Sequence, residues 1–208
     1  CGEIYPKNDF GAFYETALDE HGMFRRELGN RSLLFNTSHP EAGDPLRDSY
    51  VDDGYGMVDG KGDTHHPVAY YNYEIAWRRQ ALSGAHRLAA AFTLTDDRRY
   101  AHKAAVLLDR IADVYPEMDY LPLSKLGFQH SHGGTGEGGI EGCIWETWVV
   151  QHLAESYDMV FEGIQGDGEL VEFCSSKASE FSLPDKSSIE MICAHIHTNF
   201  LLQGLAST

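Results

Sequence analysis

From Val68 the chain takes up a helical period, and it does so twice in succession with only a short break between. Ile75, Leu82, Ala85, Leu88, Ala89 and Phe92 recur on one face. After Thr95-Asp96, Tyr100, Ala104, Leu107, Leu108, Ile111 and Val114 do the same, and Pro116 marks the end. Two long amphipathic helices joined this tightly must lie antiparallel as neighbours. Thr95 or Asp96 is the expected N-cap of the second. A helical hairpin is therefore the unit from which this chain is built.

Further helices are expected from about Cys143 to Phe161 and from Ser187 to about Leu205. The first buries Ile144, Trp148, Leu153, Tyr157 and Val160 or Phe161. The second buries Ile192, Ile196 and Phe200, and Ser187 with Glu190 has capping-box spacing. The segment between these helices reads as a glycine-rich linker. Residues 116–142 read as a long loop ending in Gly133-Gly134-Thr135-Gly136-Glu137-Gly138-Gly139-Ile140-Glu141-Gly142. Before Val68 the density of Pro and Gly predicts irregular chain. A short helix is expected at Phe10–Glu20, and a strand at Tyr55–Asp59 that Asp59-Gly60 turns into a hairpin. Long loops between helix pairs argue against a compact four-helix bundle and for an α/α array. The expected fold is all-α, an incomplete (α/α) toroid of antiparallel helix pairs. Residues 1–67 would form an irregular segment packed on the toroid portion, 68–208.

The 208 residues include 32 acidic and 16 basic side chains, a formal net charge of −16. That balance argues against nucleic acid or an anionic membrane surface as partner. No apolar run reaches the roughly 18 residues of a membrane span. Cys1, Cys143, Cys174 and Cys193 make no CxxC pair, which argues against a zinc ribbon within this stretch. The sequence begins at Cys1-Gly2 and stops at Ser207-Thr208 straight after a helical pattern, so a piece of a larger protein is expected.

Aromatic and polar residues open the first long helix: Tyr70, Tyr71, Asn72, Tyr73, Glu74, Trp77 and Arg78. If the helices alternate in direction, this cluster shares a rim with Trp145 and Glu146. Aromatic faces stack on sugar rings, and Asn, Glu and Arg hydrogen-bond hydroxyls and carboxylates. Tyr and Trp also fill gaps between large helices, and both uses stay open from the sequence. His65 and His66 precede the cluster. His130-Ser131-His132 sits in a loop, whereas His195 and His197 fall on a helix, where residues two apart diverge. No third ligand stands at a recognisable spacing, so neither a metal nor another cofactor is expected. The glycine-rich loop lacks the lysine of a P-loop, and no nucleophile elbow or His-Glu-x-x-His occurs.

The run His66-Pro67-Val68-Ala69-Tyr70-Tyr71-Asn72-Tyr73-Glu74 with Trp77-Arg78-Arg79 resembles heparinase II/III-like proteins. So do Leu94-Thr95-Asp96-Asp97, Arg99-Tyr100-Ala101-His102-Lys103-Ala104 and Leu107-Leu108-Asp109-Arg110-Ile111-Ala112, then Ile144-Trp145-Glu146 and Tyr157-Asp158-Met159-Val160-Phe161. The resemblance spans roughly residues 50–205. It implies an (α/α) toroid followed by a β domain, the two forming the cleft of a polysaccharide lyase. The implied reaction is β-elimination beside a uronic acid. An Asn, Arg or protonated His neutralises the sugar carboxylate, and Tyr or His moves the protons. The implied substrate is an acidic polysaccharide, which suggests a periplasmic or secreted site, and the β domain is a further expected partner. Tyr71 and His66 are the proton-transfer candidates. Tyr71, Asn72, Tyr73, Trp77, Arg78, Trp145 and Glu146 are the substrate-binding candidates. The family's catalytic Asn/His motif is expected to follow a helix resembling Ile189–Leu205, and so to fall outside this stretch. Two other readings are a glycoside hydrolase on the same scaffold, using Glu146 with Asp53 or Glu141, and a non-catalytic helical module that binds carbohydrate.

Overall fold

The computed structural model describes residues 8–119, 139–140 and 143–206, without the side chains of Cys143 and Ile144. Residues 133–138 and 141–142 of the glycine-rich loop, with His130, His132 and Cys1, lie outside the described residues. The chain forms two compact units, divided between Trp77 and Arg78.

The first unit is mainly irregular. Helix α1 (Phe10–Thr16) is capped by Asp9, whose carboxylate accepts from Ala12 N. Its Phe10, Phe13 and Tyr14 rings gather on Phe24, with Tyr14 stacked on it at 5.5 Å. The expected hairpin forms as β1 (Met57–Val58) paired antiparallel with β2 (Thr64–His65). These are the only strands among the described residues, and helix dominates the rest. Helix α2 (Pro67–Tyr71) starts with proline in its first turn, where a missing N–H costs nothing. It leads into a π-helical stretch, Asn72–Leu82. The division between the units falls within that stretch.

The second unit carries the helical hairpin. Helix α3 (Ser83–Thr95) returns as α4 (Arg98–Val114). Asp96 takes the left-handed conformation (φ 55°) as the C-cap of α3, and Asp97 caps α4 by accepting from Arg99 N. The cap therefore lies one or two residues later than Thr95 or Asp96, because Asp96 is consumed by the turn. Tyr100 is exposed rather than inward; Ala101, Ala104, Ala105, Leu108, Ile111 and Ala112 face the core. Alanines on α4, with Ala85 and Ala89 on α3, let the two axes approach closely.

Helix α5 (Cys143–Val160) packs on α3 and α4. His86 of α3 meets His152 and Ser156, and the Phe92 ring lies on Gly163 just beyond α5. Gly84 faces Leu107, near the far end of α4. Thus α3 and α5 run in the same direction and α4 runs against them. A Cβ at Gly163 would stand 2.5 Å from the Phe92 ring and 2.9 Å from Ala101, so only glycine fits this crossing.

The expected linker is in fact a helix, α6 (Gly168–Glu180). Asp167 caps it by accepting from Leu170 N, and Leu170, Cys174 and Ala178 bury one face. Glycines at 163, 166 and 168 punctuate only its approach. Helix α7 (Ile189–Ile196) is capped by Ser188, which accepts from Met191 N. Ser187 is unsuited to the cap because its N–H and hydroxyl both donate to Asp185. A second π-helical turn, His197–Leu202, runs into α8 (Gln203–Ala206). Fully buried Leu82, Leu108, Leu153, Ile164, Leu170, Ile192, Ile196 and Phe200 form the core. Each contributes about 1.5–3 kcal/mol relative to exposure. No helix among the described residues is long and apolar enough to cross a membrane.

Candidate functional site

In the first unit, buried Asp52 organises the approach to α2. Its Oδ1 accepts from Gly54 N (2.8 Å) and Gly56 N (3.2 Å), and its Oδ2 accepts from Val68 N (3.0 Å) at the start of the helix. Gly56 sits at φ 134° with the His66 ring against it. His66 Nδ1 is 2.7 Å from the Tyr55 carbonyl oxygen. A carbonyl only accepts, so Nδ1 carries the proton, and in the neutral ring Nε2 is the basic nitrogen. Tyr70 and Tyr71 are 63% and 60% exposed, which leaves their phenols open to a ligand. Asn72 is exposed as well, whereas Tyr73 and Trp77 are half-buried. Trp77 Nε1 is enclosed without a hydrogen-bond partner among the described residues. Nearby, Asp59 accepts from Lys61 N, Asp63 N and His65 Nε2. The His65 bond is the main cause that holds its carboxyl down to about 2.

In the second unit Arg78 is half-buried and Trp145 is 51% exposed. Glu146 is fully enclosed. Its carboxylate accepts from Tyr115 OH (2.5 Å) and Ile140 N (2.9 Å), so it organises the interior and offers no surface to a substrate. Tyr115 also meets Phe200 edge-on, with ring centres 5.3 Å apart, which anchors the second π-helical turn.

That turn carries a residue which the sequence pattern did not single out. Asn199, half-buried, approaches His195 Nδ1 through its Nδ2 at 3.3 Å. His195 Nε2 lies 2.9 Å from Asp113 Oδ1. The same Asp113 oxygen receives Lys186 Nζ at 2.7 Å, and Lys186 also reaches Asp109 Oδ2 at 2.7 Å. The Lys186 side chain is 1% exposed, and Asp113 and Asp109 are 3% and 7% exposed. Burial opposes ionisation of Asp113, but hydrogen bonds from His195 and Lys186 outweigh it and leave its carboxyl below the ordinary range. Burial wins at Asp109, whose carboxyl is raised despite Lys186. Burial, together with Asp109, pushes the Cys174 thiol up to about 12. The local signal was two i,i+4 pairs on neighbouring helices, Asp109 with Asp113 and His195 with Asn199.

Beside this, His152 of α5 is sandwiched between Trp148 (4.4 Å between ring centres) and His86 (4.9 Å). Ser156 donates to the His152 carbonyl at 2.6 Å, which leaves its oxygen to accept from His86 Nδ1 at 3.4 Å. Among the described residues, no group of three or more His, Cys, Asp or Glu is placed to hold a metal ion.

Comparison with family models, characterised proteins and solved structures finds no match to this chain.

Proposed function

We propose that this chain supplies part of the helical domain of a polysaccharide lyase, acting on uronic-acid polymers by β-elimination. The observation that carries this reading is Asn199, an amide on a π-helical turn anchored from within by His195. π-Helical turns are rare and frequently stand at functional sites. With one N–H held by His195, the second N–H and the carbonyl oxygen remain for a ligand. An amide N–H directed at a uronate carboxylate stabilises the charge that builds there as the C5 proton leaves. The sequence resemblance supplies the reaction class, and Asn is one of the residue types that this chemistry uses. Exposed Tyr71 and the Nε2 atom of His66 have the chemistry of proton carriers. Exposed Trp145 has that of a stacking surface for a sugar ring.

Two observations weigh against the hydrolase reading. Glu146 is sealed inside the second unit, and Asp53 of the first is engaged by Arg31 and Arg26. Neither is a carboxylate free to serve as the acid or nucleophile of a glycosidase.

The test is incubation of the protein with glucuronate-, mannuronate- and galacturonate-containing polysaccharides. The rise in ultraviolet absorbance that marks an unsaturated uronide is followed, with Asn199→Ala as comparison. Absorbance that depends on Asn199 supports the lyase. Reducing ends released without absorbance indicate a hydrolase, and binding without either indicates a non-catalytic module.

A further inference from the structure

We propose that Lys186 and Asp113 act through His195 as positioning residues for the Asn199 amide, so that a buried charge chain fixes how the second π-helical turn presents this group. The inference rests on the reading of Asn199 as a contact for a uronate carboxylate, but its geometry stands independently.

The chain begins inside the fold. Lys186 lies in the segment between α6 and α7, and Ser175 of α6 donates to its backbone carbonyl at 2.9 Å. Its ammonium is shared by two carboxylates of α4. Asp113 then receives His195 Nε2 on the same oxygen that holds Lys186. A carboxylate only accepts, so His195 carries its proton on Nε2. In the neutral ring Nδ1 is left as an acceptor, aimed at Asn199 Nδ2. With the neutral ring, the amide turns its nitrogen toward His195 and its oxygen away from it.

Packing alone does not require such a chain. Buried ion pairs stabilise little relative to apolar residues of the same volume, and they are best attested as devices that specify geometry. Here the chain is open at one end only. Lys186, Asp109, Asp113 and His195 are enclosed, whereas Asn199 is half-buried. Other groups near the chain are Arg110, 3.5 Å from Asp113 Oδ2, and the Cys174 thiol beside Asp109. His195 and Asn199 are four residues apart, with the α-to-π transition at His197 between them. The wider π turn changes the angle at which residue 199 projects, and the His195 bond ties that projection to α4.

The experiment is side-chain amide NMR on the full chain, with the Asn199 NH2 pair assigned by its loss in Asn199→Asp. The side-chain order parameter is compared with backbone order over residues 189–206. In the wild type the amide should be as ordered as rigid backbone, about 0.85. In Asp113→Leu it should fall below about 0.6 while the backbone stays ordered. Asp113→Asn keeps an acceptor for His195 Nε2 and should restore most of the order. If Asp113→Leu fails to fold, His195→Phe tests the same link from its other side. An amide that stays ordered in Asp113→Leu or His195→Phe overturns the proposal. The second readout is affinity for glucuronate and mannuronate tetrasaccharides, expected to weaken roughly tenfold in Asp113→Leu and to recover in Asp113→Asn. Lost amide order with unchanged affinity overturns the positioning role. Wild-type protein that binds no uronate, yet shows the amide ordered through Asp113, instead refutes the uronate reading of Asn199 and leaves the charge chain standing.

Discussion

Replacing Lys186 with methionine should be among the most damaging single changes in the second unit. Methionine fills a similar volume, so the loss is electrostatic. It removes the cation that faces both Asp109 and Asp113 at 2.7 Å, in a place where none of the three side chains is more than 7% exposed. Breaking a buried pair from one side costs about 3–5 kcal/mol, because the partner charge is left uncompensated. With a urea dependence of about 2 kcal/mol per molar, the unfolding midpoint should drop by about 2 M. The fluorescence of Trp145 and Trp148 reports this unit. The pH dependence has a defined sign. In the wild type Asp113 is lowered, so its contribution is present above the unfolded value of 3.8 and is lost as pH falls through the folded value. Asp109 is raised, so its contribution runs the other way and is lost as pH rises. Without Lys186 both carboxyls move upward, and the deficit should be largest at neutral pH and shrink toward pH 4. Asp109→Leu combined with Lys186→Met removes one uncompensated charge and should recover at least half of the loss. A cost under about 1 kcal/mol for Lys186→Met at neutral pH would show that water reaches the network, and would refute the argument.

Gly163→Ala sets a methyl against the Phe92 ring and the Ala101 Cβ, and overpacking of this kind costs about 1–3 kcal/mol, readable as a lower thermal midpoint. His152 is held below the ordinary imidazole range by burial first and by His86 second, so its contribution is present above about pH 6.5 and lost as pH falls. His152→Phe should therefore flatten stability between pH 7 and pH 5 in denaturant titrations, and an unchanged slope would assign that dependence elsewhere. Asp52→Ala removes the acceptor for Gly54 N, Gly56 N and Val68 N and should cost about 2–4 kcal/mol, with hydrogen exchange rising first at Val68.

The helical hairpin was legible because its information is local. Ala85, Ala89, Leu108 and Ile111 stand at helical spacing, and a short break forces the return. The caps were less legible because neighbouring residues compete for one role. Asp96 and Asp97 can each cap α4, and the left-handed turn that ends α3 takes the first of them. Ser187 and Ser188 compete in the same way, and Asp185 decides between them by engaging Ser187. Helix α6 was hidden by the glycines at its approach, although Leu170, Cys174 and Ala178 repeat at intervals of four.

The site separates along the same line. Exposure of Tyr70 and Tyr71 accords with an aromatic cluster opening a helix, since that is a property of one segment. The enclosure of Glu146 depends on Tyr115, 31 residues away, and on Ile140, and no local pattern signals it. The charge chain lies further from view. Lys186 is 77 residues from Asp109, and His195 is 82 from Asp113. A lysine in a polar linker and a histidine on an amphipathic helix each look solvated when taken alone. Only the antiparallel return of α4, which sets its last turns beside the 181–188 segment and α7, converts them into one buried network. The same argument assigns Asn199 its interest. Its neighbours in sequence are Thr198 and the core Phe200, neither of which marks a site, and what distinguishes it is the far end of the chain of charges to which it is tied. The ligand contact proposed for Asn199 would depend on α4 as much as on its own helix. Damage at Asp113 should therefore reach the ligand without touching it.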